Sequence, residues 1–328
     1  MAGLVNDLLL RPASRLYGAA WEMRRRAYAA GLAVPHRLPA RVVSIGNLTV
    51  GGTGKTTLTL WLAAEALRRG IDAAVVCRRY LPGPGGRGDE ELLLARALGE
   101  ARVHAGRTKW KLAAQAAARG RRLILVDDAF SHWRLDRDVD IVLLDAADPW
   151  GGGRFLPAGR LREPHRALQR AGAVVVTRLE RPEDLTSLSA EIRRYAPGAL
   201  LAGGRHRVVG VRPHGAGAVA SPTGAGPARI VTATGRPTAV ARSAEEAGFS
   251  PVRVSAYRDH HWFSAAEARR ELSAARREDA SLVLTAKDAV RWPLGGGDER
   301  VVVLEVEWEW VAGATEVESL ALSMGEAT

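Results

Sequence analysis

Lys55 and Thr56 close the glycine-rich run Gly46-Asn47-Leu48-Thr49-Val50-Gly51-Gly52-Thr53-Gly54, which itself follows the apolar segment Val42-Val43-Ser44-Ile45. A strand that passes through such a turn into a helix brings backbone N–H groups close to an anion, because glycines put no Cβ in the way. In loops of this kind the Lys55 ammonium neutralises β/γ-phosphate charge and the Thr56 hydroxyl ligates magnesium, while Gly51, Gly52, Thr53, Gly54 and Thr57 complete the nucleotide contact. The usual pattern has glycine five residues before the Gly-Lys pair, and Thr49 stands there instead.

Phosphate chemistry on magnesium also needs a carboxylate at a strand end. Leu123-Ile124-Leu125-Val126-Asp127-Asp128 supplies two. Adjacent side chains project differently, so one acid can face the metal while the other orients water or a neighbour. Asp145 ends a second apolar run in the same way. The segment Leu156-Pro157-Ala158-Gly159-Arg160-Leu161-Arg162-Glu163-Pro164 adds two arginines, whose forked donors suit phosphate oxygens, although on its residues alone an exposed Pro-flanked turn explains it better.

These groups need a scaffold, and the alternation of short apolar runs with helical stretches from residue 41 onward predicts a mostly parallel sheet wrapped by helices. Strands are expected at 42–45, 73–77, 123–126, 141–144 and 173–176, with helices at 56–69, 90–98 and 109–118. Such sheets bind ligands at the carboxyl ends of their strands. Gly, Pro and Ala concentrate near 203–227, which predicts a linker at 204–227 between a core at 33–203 and a smaller α/β domain at 228–328. That domain's strands are expected at 229–232, 282–285 and 301–305, its helices at 238–247 and 265–275, with a closing helix at 315–324. Residues 4–32 read as a basic amphipathic helix with Pro12 in a first turn, and Leu16, Ala20, Met23 and Ala27 along one face. Such a helix suits an anionic membrane interface, and equally a position packed on its own domain.

The formal charge of +11 suits an anionic partner without choosing among nucleotide, nucleic acid and acidic membrane, and equally suits the arginine-rich composition of a high-GC genome. Dispersed basic residues and no interleaved aromatic platform argue against nucleic acid. The single cysteine, Cys77, excludes an internal disulfide and fits a reducing compartment. No uninterrupted apolar run reaches the length of a membrane span, and Leu8 to Leu10 is too short for a signal peptide, so any membrane contact is expected to be peripheral.

Taken in order, the motifs resemble the tetraacyldisaccharide 4'-kinase family. The likeness rests on Arg11-Pro12-Ala13-Ser14-Arg15-Leu16-Tyr17, the glycine-rich loop with its Thr49, Gly88-Asp89-Glu90, Asp127-Asp128, His132, Arg137-Asp138, the 156–164 loop, Asp259-His260 and Thr285-Ala286-Lys287-Asp288. The resemblance implies a P-loop α/β domain with a smaller α/β domain, and transfer of the ATP γ-phosphate to the 4'-hydroxyl of a tetraacylated disaccharide 1-phosphate to give lipid IVA, at the cytoplasmic face of the inner membrane. It assigns Asp89 as general base with His260 as its partner, and Lys55 and Thr56 to phosphate and Mg2+. Asp127, Asp128 and Glu163 fall beside the metal, Tyr80 beside adenine, and Arg162, His132 and Lys109 on substrate or phosphate. No obligate protein partner is implied. Read without the family, Asp89 is a helix N-cap and His260 a surface histidine.

Several positions depart from that family's pattern: Thr57 for proline, Arg79 for glycine, Ala129 and Ser131 for glycine and glutamine, Ala286 for glutamate, Arg160 for proline and Lys109 for arginine. A regulatory ATPase of the deviant P-loop kind, acting on a protein partner, shares the Gly-Gly-x-Gly-Lys-Thr core. Val50, where such proteins often carry an extra lysine, weighs against it.

Overall fold

The computed structural model describes residues 2–215 and 225–324. In chain order the elements are α1 (Ala2–Ala29), β1 (Arg41–Asn47), α2 (Lys55–Arg68), β2 (Ala73–Arg78), α3 (Asp89–Leu98), β3 (Val103–Gly106), α4 (Lys109–Ala118), β4 (Leu123–Asp127), β5 (Val139–Asp145), β6 (Ala173–Thr177) and α5 (Pro182–Tyr195). They continue with β7 (Leu200–Pro213), β8 (Gly226–Thr232), α6 (Pro237–Glu246), β9 (Phe249–Ala256), α7 (Ala265–Arg277), β10 (Ser281–Thr285), α8 (Ala286–Ala289), β11 (Val301–Ala312) and α9 (Ala314–Leu322). The chain forms two compact units: unit 1 is Met1–Arg78, Leu98–Arg205 and Glu309–Thr328, and unit 2 is Arg79–Ala97 and His206–Trp308.

In unit 1 the strands follow the order β3-β2-β4-β1-β5-β6-β7. Pairing is parallel, with Val42 opposite Ile124 and Ile45 opposite both Asp127 and Ile141. β1, β4, β5 and β6 are buried almost throughout, which is why they read as unbroken apolar runs rather than as an alternation. In unit 2 the parallel order is β11-β10-β8-β9, and α7 begins with a capping box formed by Ser264 and Glu267.

Three expectations need correction. Residues 204–213 do not form a linker but continue β7, because the glycines there are accommodated in an extended strand; residues 216–224 of the expected linker lie outside the described residues. The units also interleave in sequence, since 79–97 belongs to unit 2 and 309–328 to unit 1. Pro12 lies inside α1 instead of in its first turn.

One side of α1 packs on unit 1. Ser14 donates to the Phe155 carbonyl at 2.8 Å, a Cβ on Gly18 would fall 2.9 Å from the Phe155 ring, and buried Trp21 meets Trp133 edge-on at 5.9 Å. The expected apolar stripe points the other way. Leu16 is 72% exposed and Met23 71%.

Candidate functional site

The phosphate loop joins β1 to α2 within unit 1. Gly51 and Gly54 have φ values of 118° and 86°, the left-handed region that suits glycine, and α2 begins directly at Lys55. Gly46 is equally constrained, because a Cβ there would lie 2.4 Å from that of Phe130. Thr49 is tolerated where glycine is usual because it pairs with Leu161 in an isolated bridge. The loop is braced from inside by Asn47, whose amide donates to the Thr53 hydroxyl at 3.0 Å.

Thr56 meets one of the two acids. The Thr56 hydroxyl donates to Asp127 Oδ2 at 2.9 Å, joining the start of α2 to the end of β4. Asp128 turns away with a positive φ of 53° and accepts both Arg162 terminal nitrogens, at 2.6 and 3.0 Å. Lys55 Nζ lies 3.6 Å from the same carboxylate. Burial alone would raise the Asp128 pKa, but the Arg162 hydrogen bonds and the nearby Lys55 hold it well below the usual carboxylate range. Arg162 also donates to the Asn47 side chain, so one guanidinium ties the loop to the acidic pair.

Two of the expected residues are engaged by neighbours within unit 1, and a third is held neutral. Glu163 is fully buried, and its oxygens accept from Arg170 at 2.6 Å and Trp133 at 3.3 Å, which engages the carboxylate away from Asp127 and Asp128. Lys109 is buried, and its ammonium donates to the Asp127 and Asp128 carbonyls at 2.7 and 2.5 Å. Two of its three donors therefore hold the end of β4. Burial, with Lys109 and Arg137 nearby, pushes His132 down to about 4, so it is a neutral ring at neutral pH.

A second constellation lies in unit 2. Asp89 is the first residue of α3 and only 2% exposed, and His260 Nδ1 sits 2.9 and 3.1 Å from its two oxygens. Lys287 Nζ is 3.6 Å and Arg291 Nη1 3.4 Å from Asp89 Oδ2. Burial would raise the Asp89 pKa, yet the His260 hydrogen bond and the Lys287 and Arg291 charges lower it to about 2. An ionised carboxylate only accepts, so Nδ1 of His260 carries the proton between them. Tyr80, 42% exposed, stands edge-on to His260 at 5.1 Å.

Sequence reasoning missed Arg291, a fully buried guanidinium that donates to Asp288 at 2.6 Å and to the Ala233 carbonyl at 3.1 Å. Its spacing of three from Asp288 after the Thr-x-Lys-Asp motif was the available signal. Among the described residues no group of three or more His, Cys, Asp or Glu forms a metal cage. Magnesium held by one hydroxyl, one carboxylate, substrate phosphates and water needs no such cage, and the paired Thr56 and Asp127 fit that donor set.

A profile of the tetraacyldisaccharide-1-P 4'-kinase family matches residues 6–323. A tetraacyldisaccharide 4'-kinase of Anaeromyxobacter sp. (strain Fw109-5) is 36% identical over 340 aligned residues, covering 95% of this chain and 89% of that protein. One from Syntrophobacter fumaroxidans is 36% identical over 300, covering 85% and 78%. The fold is similar to that of LpxK from Aquifex aeolicus, solved in complex with ATP, with a TM-score of 0.70, 23% identity and coverage of 97% and 98%.

Proposed function

Since the chain belongs to the tetraacyldisaccharide-1-P 4'-kinase family, we propose that it transfers the γ-phosphate of ATP to the 4'-hydroxyl of a tetraacyldisaccharide 1-phosphate, yielding lipid IVA. The observation that carries this reading is that one chain holds both a complete phosphate loop, Lys55 and Thr56 included, and a hydrogen-bonded Asp89–His260 pair able to manage a hydroxyl proton. A regulatory ATPase has no evident use for that pair, and the family assignment does not favour it.

In the proposed reaction the loop N–H groups and Lys55 bind the triphosphate and offset charge as the terminal phosphoryl leaves ADP. Thr56 and Asp127 would hold Mg2+, which when bound screens the β- and γ-oxygens. Asp128, fixed by Arg162, supports that end of the loop. The attacking hydroxyl forms the new P–O bond as the bond to ADP breaks, and its proton passes to the Asp89–His260 pair and then to water. With its pKa held at about 2, Asp89 alone is a weak base. It suits a loose transition state, in which the hydroxyl need only be oriented until its proton becomes acidic late in transfer, and His260 shares the charge. Tyr80 is proposed beside adenine.

Peripheral contact with an anionic membrane, at the cytoplasmic face of the inner membrane, is supported by the outward stripe of Leu16 and Met23 flanked by Arg15, Arg24 and Arg26. No helix among the described residues is long and apolar enough to cross a membrane. The test is incubation of purified protein with Mg-ATP and the disaccharide 1-phosphate: the lipid should gain one phosphoryl group by mass spectrometry. An unchanged lipid alongside phosphorylation of another acceptor would overturn the substrate assignment.

A further inference from the structure

Two arginines outside the glycine-rich motif reach the phosphate loop from its outer side. Arg160 directs Nη2 and Nε to the Val50 carbonyl at 3.2 and 3.4 Å, while its Nη1 is held by Asp148 at 3.1 Å. Arg178 donates to the Gly52 carbonyl and is paired with Asp145 at 2.5 Å. The Val50 N–H in turn donates to the Arg160 carbonyl at 2.8 Å, so this segment is gripped by both main chain and side chain. Both acids lie at or just after the end of β5, and the Asp145 carboxylate is buried, so the two guanidinium groups are anchored to the sheet.

A trans peptide is planar, and its C=O and the following N–H point in opposite directions. Holding the Val50 and Gly52 carbonyls outward therefore turns the Gly51 and Thr53 N–H groups to the opposite side of the loop. Two of the peptides whose N–H groups can contribute to an anion-binding nest are fixed in this way. We propose that Arg160 and Arg178 are positioning residues that pre-organise the phosphate loop through its carbonyls, without touching the nucleotide themselves. Arg160 stands where the resembled family usually has proline, which has no side-chain donor, so this half of the clamp comes with that substitution. The proposal rests on the reading of this loop as the phosphate site.

The test is calorimetric titration of the full chain with Mg-ADP and with Mg-ATP, for the wild type and for Arg160→Gln, Arg160→Lys, Arg178→Gln and Arg178→Lys. Pre-organisation acts on the whole nest, so Arg160→Gln should weaken both nucleotides by about three- to tenfold, leaving their ratio unchanged, with most of the loss recovered in Arg160→Lys. Arg178→Gln removes a counter-charge from the buried Asp145 carboxylate and serves only if it melts near the wild type. Arg178→Lys keeps the charge and, like Arg160→Lys, should recover most of the loss seen in its glutamine counterpart, for both nucleotides equally. Loss of ATP affinity with ADP spared would mean direct contact with the terminal phosphate and overturn the proposal, as would unchanged affinity for both. A wild-type chain that bound neither nucleotide would instead remove the phosphate-site reading, and the proposal with it.

Discussion

His260 Nδ1 lies 2.9 Å from Asp89 Oδ2, joining residues 171 positions apart in the chain into one acid–base pair whose carboxylate is buried. The pair sits against two cations, Lys287 and Arg291, which is why the carboxylate stays ionised despite its burial. Exposed solvent does not compete for it.

Removing either partner should damage the chemical step more than nucleotide binding. Asp89→Asn keeps shape but cannot accept the proton, so kcat should fall by roughly 10²–10⁴-fold while ATP affinity holds within about twofold. His260→Ala should cost less, since the carboxylate remains to orient the hydroxyl. Steady-state kinetics with separately titrated ATP check both. Equal loss in kcat and in ATP binding would contradict the assignment.

Asp89 also makes a pH-dependent contribution to stability. Its folded pKa of about 2 lies below the ordinary value of about 3.9, so the contribution is fully present above that value and is lost as pH falls through about 2. The linked stabilisation is on the order of 2 kcal/mol. Denaturation curves should show the gap between wild type and Asp89→Asn narrowing as pH drops from about 5 towards 2. A gap that widened on acidification would have the wrong sign.

Glu163 offers a clear separation of structural from metal-binding roles. With Arg170 paired to its buried carboxylate at 2.6 Å, Glu163→Gln should destabilise the protein by about 3 kcal/mol, because a guanidinium loses its counter-charge in a buried setting. The Mg2+ concentration giving half-maximal activity should hardly move. Asp127→Asn is expected to do the reverse, raising the Mg2+ requirement with little change in melting temperature.

The outward stripe of α1 predicts where a membrane contact lies. Leu16→Glu with Met23→Glu should abolish sedimentation with vesicles containing phosphatidylglycerol while leaving ATP affinity unchanged, because neither side chain packs on unit 1. Undiminished pelleting of the double variant would place the contact elsewhere.

Local features were legible in the chain because their geometry is local. The glycine-rich loop, the strand leading into it and the acid pair ending β4 each follow from a few consecutive residues. The Asp89–His260 pair was visible only through family likeness, since each alone is an ordinary cap or loop residue. Glu163 follows Arg162 directly, yet Arg162 turns to Asp128 while Glu163 turns inward to Arg170, a divergence that adjacency in the chain does not reveal. The expected linker failed for a related reason: Gly203, Gly204 and Gly210 look like turn residues but lie in β7, where pairing with neighbouring strands outweighs their weak strand preference.

The most direct test of the central claim is to locate the phosphate that is transferred. After reaction of the purified chain with Mg-ATP and the disaccharide 1-phosphate, phosphorus–proton correlation NMR should show one new phosphomonoester coupled to the proton on carbon 4', and none with Asp89→Asn on the same timescale. A new ester at any other carbon, or consumption of ATP with the lipid unaltered, would contradict the account.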